Sequence, residues 1–177
     1  MPVHYITGNA LDFPENTNVL AHGCNRQGTM GAGIARQIAE EFPAAAEADK
    51  KAFESNENQL GMMSSAIVAG GAKRIANLYC QTHYGVGERQ VDYEALYVCL
   101  QSLRNVLEDA ANQGRIYRLA LPWIGTGLAG GSRVVVGAMI EDIFGNSPIE
   151  TFVVEYVKRA EKAAESTDKP VETTEIS

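Results

Sequence analysis

Segments with strand-like and helix-like spacing alternate along the 177 residues of this chain. That alternation constrains its fold more than any other feature. VHYIT (3–7) and NVLAH (18–22) are short, apolar and β-prone, and Gly8-Asn9 interrupts the first. From residue 31 the apolar side chains fall at Ile34, Ile38 and Phe42, with Ala35 and Ala39 beside them, which is the spacing of a helix. Pro43 ends that helix or starts the next, and residues 44–55 continue as a helix rich in Ala, Glu and Lys. Residues 60–80 read as two or three strands turning at Gly70-Gly71, with RIANLYC (74–80) the best of them. A polar loop, 81–91, leads to a helix from 92 to about 112. There Tyr93, Leu96, Tyr97, Leu100, Leu103, Val106, Leu107 and Ala110 keep the i, i+3, i+4 pattern and Asp92 stands at the capping position. RIYRLALPWI (115–124) is a strand, Ser132 to about Phe144 a helix that Gly145 can end, and ETFVVEYV (150–157) the last strand. Strands alternating with helices predict a three-layer α/β domain.

Composition narrows the partners. Hydrophobic residues make up 45% of the chain, enough for one domain with a sizeable core over residues 1–157. Residues 158–177 lose apolar periodicity and predict a flexible polar extension. The net charge is −7 and no Lys/Arg cluster stands out, so strong nucleic-acid binding is not expected. Cys24, Cys80 and Cys99 are odd in number and lack CxxC spacing, which fits neither a disulfide framework nor a zinc site. No run of about 18 apolar residues appears, and the first residues lack a basic stretch followed by an apolar one. The expectation is a cytoplasmic chain without membrane contact.

Two glycine-rich loops, GTMGAGIA (28–35) and GTGLAGG (125–131), share one design: each leaves a predicted strand and runs into a predicted helix. In open α/β sheets ligands bind at such strand ends, and helix N-termini present N–H groups to anions. Glycine lets backbone N–H groups approach a phosphate with no Cβ in the way. The loops are either plain turns or a clamp on a diphosphate. Gly31-Ala32-Gly33-Ile34-Ala35-Arg36 lacks the third glycine of the dinucleotide fingerprint, and its strand ends too early; no GxxxxGK[ST] motif occurs. Neither a nicotinamide site nor a nucleoside triphosphatase is supported.

YITGNAL, VLAHGCNRQGTMGAGIARQI, NLYCQTHYG, DYEAL and LPWIGTGLAGG together resemble the macrodomain family of ADP-ribose-binding modules, over about residues 3–157. Within it, Gly8-Asn9 and His22-Gly23-Cys24-Asn25 are most similar to the branch of the yeast ADP-ribose-1″-phosphate phosphatase. The MGAGIA segment is also similar to the branch of the human terminal ADP-ribose glycohydrolase. The resemblance implies an α/β/α fold with a mixed central sheet. It also implies roles for particular residues. Asn9 and Ala10 would contact the adenine, the Asn amide accepting from its amino group where many macrodomains have Asp. Gly31, Ala32, Gly33 and Ile34 would line the diphosphate and distal ribose, and Asn25 would bond the distal ribose hydroxyls. Gly125, Thr126, Gly127, Leu128 and Ala129 would wrap the diphosphate from the other side. Gly8, Gly28 and Met30 complete the expected ligand-binding set.

For chemistry, His22 is the sharpest residue. It is either a core histidine bonded to its surroundings or, as the resemblance implies, catalytic together with Asn25. A histidine beside a phosphomonoester acts as general acid, orients the attacking water or attacks phosphorus. The glycohydrolase branch uses a lysine where this chain has QTHYG and an aspartate where it has Ala129, so a lysine-adduct mechanism is not expected. His83 and Tyr84 either cover the substrate or belong to an exposed loop. Asp92 reads as a helix cap rather than a base, Cys24 as a buried thiol rather than a nucleophile, and Trp123 as a packing residue. The expected function is hydrolysis of ADP-ribose 1″-phosphate, a by-product of tRNA splicing, without metal or other cofactor. Removal of ADP-ribose from modified macromolecules, and binding of ADP-ribose without turnover, are the alternatives.

Overall fold

A computed structural model describes residues 3–85 and 87–157; the polar extension expected at 158–177 lies outside them. The strands are β1 (Val3–Gly8), β2 (Val19–Asn25), β3 (Met63–Val68), β4 (Lys73–Gln81), β5 (Arg118–Pro122) and β6 (Glu150–Tyr156). The helices are α1 (Gly33–Glu41), α2 (Pro43–Glu54), α3 (Tyr93–Asn112) and α4 (Arg133–Phe144). Pro43 starts α2, where its missing N–H costs nothing and its fixed φ suits a helix. The Asp92 carboxylate accepts from the N–H of Ala95 at 2.9 Å and so caps α3, as its position predicts. Ser132 caps α4 through the N–H of Val135.

The six strands form one sheet in the order β1-β6-β5-β2-β4-β3. All neighbours are parallel except β3, which returns antiparallel on β4 through the glycine turn. The sheet is therefore mixed. Side chains alternate faces along a strand, and the core divides accordingly. Val19, Ala21, Leu119, Leu121 and Val153 pack with α3 and α4 around Leu96, Leu100, Ile140 and Phe144. Leu20, Ala120 and Val154 face the other way, onto Ile38 of α1 and Ala45 of α2. Helices on both faces give the expected three layers. Each fully enclosed Leu, Ile or Phe contributes about 1.5–3 kcal/mol from burial.

One consequence of this order sets the site. β2 and β5 are parallel neighbours whose chains leave their C-terminal ends for opposite faces, β2 toward α1 and β5 toward α4. Such a divergence opens a crevice at the strand ends.

Candidate functional site

A cleft of about 910 Å³ occupies that crevice. The first glycine loop and the start of α1 line one wall through Gly31, Ala32, Gly33, Ile34 and Ala35. Gly125, Thr126, Gly127, Leu128 and Ala129 line the other. Asn25, at the end of β2, lies between them with Gln81 and Gln90. Its amide is fixed: Oδ1 accepts from the N–H of Gln27 at 2.8 Å and Nδ2 donates to the carbonyl of Thr29 at 3.2 Å. One lone pair and one N–H of that amide remain for a ligand.

Both walls present unbonded backbone donors. No side chain caps α1, whose first turn borders the cleft. A helix start leaves its first N–H groups without intrahelical partners and carries partial positive charge. In the second loop the N–H groups of Gly127, Leu128 and Ala129 make no hydrogen bond among the described residues. The arrangement suits an anion with many oxygens.

The glycines divide by what surrounds them. A Cβ at Gly31 or Gly127 would meet no atom within 4 Å, so both positions face open cleft. Gly28 is different. It has φ +66, does not border the cleft, and a Cβ there would lie 2.7 Å from the Phe53 ring. At Gly28 the close approach of Phe53 on α2 leaves no room for a Cβ. Met30 is likewise buried in the core around Ile38. Ala10 is enclosed in the same core, and Gly8 pairs with Tyr156 at the end of β1. Neither borders the cleft, whereas Asn9 and Leu11 do.

His22 lies apart from the cleft. It is fully buried, lines no part of the cleft, and its Nε2 lies 2.7 Å from Asn77 Oδ1. Asn77 Nδ2 donates to the carbonyl of Ala45 and to Ser64 Oγ, so Oδ1 is the acceptor and His22 donates from Nε2. The chain of bonds continues from Ser64 to the Tyr79 hydroxyl at 2.8 Å, and Tyr79 donates to Asp49 at 3.1 Å. Burial holds the His22 pKa down at about 4, against smaller opposing effects of Asn77 and the Gly23 backbone. The imidazole is thus neutral and points into the layer beneath α2. Cys24 borders the cleft, but its thiol packs on Ala52 and Tyr79 with the His22 ring 3.7–3.8 Å away. Burial, and next the Asp49 carboxyl, push the thiol pKa well up, which makes it inert as a nucleophile.

At the end of the cleft beside Asn9, β6 contributes Val154, Glu155 and Tyr156, and Trp123 and Arg133 join them. The Arg133 guanidinium grips the Glu155 carboxylate with both of its terminal nitrogens and lies 5.1 Å from the centre of the Trp123 ring. The bond from Arg133 lowers the Glu155 pKa, so the pair stays charged. Sequence reasoning assigned none of these residues to the site and took Trp123 for packing alone. The signal available was their place at the C-terminal ends of β5 and β6. Tyr84 borders the cleft with most of its surface exposed. His83 does not; it is exposed, with Nδ1 3.5 Å from Gln27 Nε2.

These features define a class: a three-layer α/β domain whose two glycine loops open donors into a switch-point cleft. Residues 21–139 match the family model described as Macro domain, and the chain belongs to that family. It is 30% identical, over 88% of its length and 97% of the relative's, to a 17.5 kDa protein of the tk-vs intergenic region of Enterobacteria phage T4. The macrodomain of Thermus aquaticus DarG superposes with a TM-score of 0.72 at 24% identity, covering 86% of this chain and 97% of that one. Thermosipho africanus DarTG, solved in complex with ADP-ribose, superposes with a TM-score of 0.63 at 19% identity, covering 82% of this chain and 40% of that one.

Proposed function

We propose that the cleft binds ADP-ribose and that the protein hydrolyses ADP-ribose derivatives substituted at the 1″ position, ADP-ribose 1″-phosphate foremost. The observation that carries this reading is the convergence of the uncapped start of α1 and the unbonded N–H groups of 127–129 on one cleft. Two donor-rich walls match a diphosphate, and the family relative solved with ADP-ribose supports that choice of ligand. The Asn25 end of the cleft, lined by amides, takes the distal ribose and its substituent. Hydrolysis there adds water to the phosphate monoester, breaks its ester bond and releases ADP-ribose and inorganic phosphate.

The role of His22 in this reading changes. A ring enclosed beneath α2 does not reach a reacting atom in the cleft, so His22 is a positioning residue that anchors the end of β2, which carries Asn25, to Asn77 of β4. Water is then aligned by the substrate and by Asn25. A second reading, binding without turnover, is favoured by one observation: no histidine borders the cleft, and its carboxylate and guanidinium, Glu155 and Arg133, are paired to each other.

The deciding experiment measures phosphate release from ADP-ribose 1″-phosphate and calorimetric binding of ADP-ribose on the same sample. Release that falls in Asn25→Ala while binding persists supports the phosphatase reading. Binding without release, there and from ADP-ribosylated protein or DNA, supports the second. Absence of binding removes both.

A further inference from the structure

β3 is the outer strand on one side of the sheet and is hydrogen-bonded to β4 alone. One long side of it is therefore unpaired. The Met62 carbonyl accepts from the N–H of Tyr79 at 3.0 Å, at the head of the β3–β4 register. Bonding alternates along an antiparallel ladder. Ser64, Ala66 and Val68 thus bond to β4, while Met63, Ser65 and Ile67 turn their N–H and C=O groups outward. None of these outward groups bonds to a turn, loop or cap among the described residues.

Soluble proteins guard such an edge with charge, proline, a bulge or a covering element. β3 has none of them. Residues 58–72, NQLGMMSSAIVAGGA, contain no Lys, Arg, His, Asp, Glu or Pro. The register from Met63 to Val68 runs without a shift. Ser65 is exposed and so is Ile67, to 55%; Met62, and Val98 beside Gly61, are exposed next to them.

Charge decides what this edge takes. The chain carries a net −7, so two copies repel over most of their surfaces. At β3 they meet without opposing like charges, and a charged peptide finds nothing there to grip. A strand is also its own complement: turned about a two-fold axis, its outward donors meet its copy's outward acceptors. We propose that β3 pairs antiparallel with β3 of a second copy, joining two six-stranded sheets into one. The outward residues fix the register. Ser65 faces Ser65 of the second copy, and Met63 faces Ile67, apolar against apolar, with about six hydrogen bonds between the strands. No residue of β3 lines the cleft, so both clefts stay open, and the two-fold axis sets them at opposite ends of the joined sheet.

The test is sedimentation equilibrium of the full-length chain, of Ile67→Lys, and of Ser65→Cys treated with oxidised glutathione. The wild-type chain is expected at twice 19.1 kDa. Ile67→Lys sets an unpaired ammonium against Met63 and should raise the dissociation constant of the dimer by about a hundredfold or more, with an unchanged circular-dichroism spectrum. Opposed Cα atoms in such a pair lie about 5.5 Å apart, within the span of a disulfide. Ser65→Cys should therefore cross-link into a covalent dimer, while Cys24, Cys80 and Cys99 stay buried. A wild-type chain that stays monomeric at high micromolar concentration overturns the proposal and leaves the edge to a foreign strand. A dimer that survives Ile67→Lys, or that leaves Ser65→Cys unlinked, overturns it as well. Should Ile67→Lys misfold, the cross-link decides alone, since it puts no charge at the edge.

Discussion

Replacing His22 by Gln should flatten the acid limb of this protein's stability profile. The wild-type ring is enclosed, donates to Asn77 and is held at about 4 against an ordinary 6.5. In the native state it is neutral over most of the range, while the unfolded chain takes up a proton below 6.5. The unfolded state then binds more protons, so stability rises with pH. The contribution is complete above pH 6.5, declines as pH falls, and is exhausted near pH 4. Between pH 7.5 and 5 the two values correspond to about 2 kcal/mol of lost stability. Gln at this position still offers an amide N–H to Asn77 but does not titrate. Asp49 acts in the opposite sense, since burial raises its pKa and its contribution fades as pH rises through the folded value. It is present in both proteins and cancels in the comparison. Urea unfolding of both at pH 7.5, 6.5, 5.5 and 5 should show the wild type losing about 2 kcal/mol more than His22→Gln over that span. Parallel profiles would refute the burial argument and return His22 to a solvated, titrating site.

Three further outcomes are expected. Gly28→Ala should destabilise by about 1–3 kcal/mol in chemical denaturation, because the new methyl meets Phe53 and the backbone is left-handed there. Gly127→Val should leave the unfolding free energy within about 0.5 kcal/mol, since that position faces open space, yet abolish ADP-ribose binding by calorimetry. Asp92→Ala should cost about 1 kcal/mol through the lost cap of α3, read as a lower urea midpoint at unchanged slope.

Much of the fold was legible because its elements announce themselves locally. The apolar spacing in α3, the Asp92 cap and Pro43 at the start of α2 are read within a few residues of chain. The two glycine loops were legible for the same reason, each lying between a strand and a helix. What escaped depends on which strands are neighbours. His22 meets Asn77 because β2 and β4 pair in that register, 55 positions apart along the chain. The face of β2 on which His22 emerges is not encoded near residue 22. Gly28 and Met30 sit in the same glycine loop as Gly31, and only the position of α2 separates packing from lining. Glu155 and Tyr156 were missed because no turn motif marks them; they enter the site through the place of β6 beside β1.

That place has a further consequence for how the molecule comes into being. β1 lies at the edge of the sheet and is hydrogen-bonded to β6 alone, with Val3 opposite Thr151 and Gly8 opposite Tyr156. During synthesis the first strand thus has no partner until nearly all of the described chain has been made. The other side of the sheet, β2 with β4 and the edge strand β3, can assemble earlier, but Asn9 finds Val154 and Tyr156 only at the last step. The nascent protein carries both glycine loops before β6 has closed the Asn9 end of the cleft, so that end of the cleft is the last part of it to be completed.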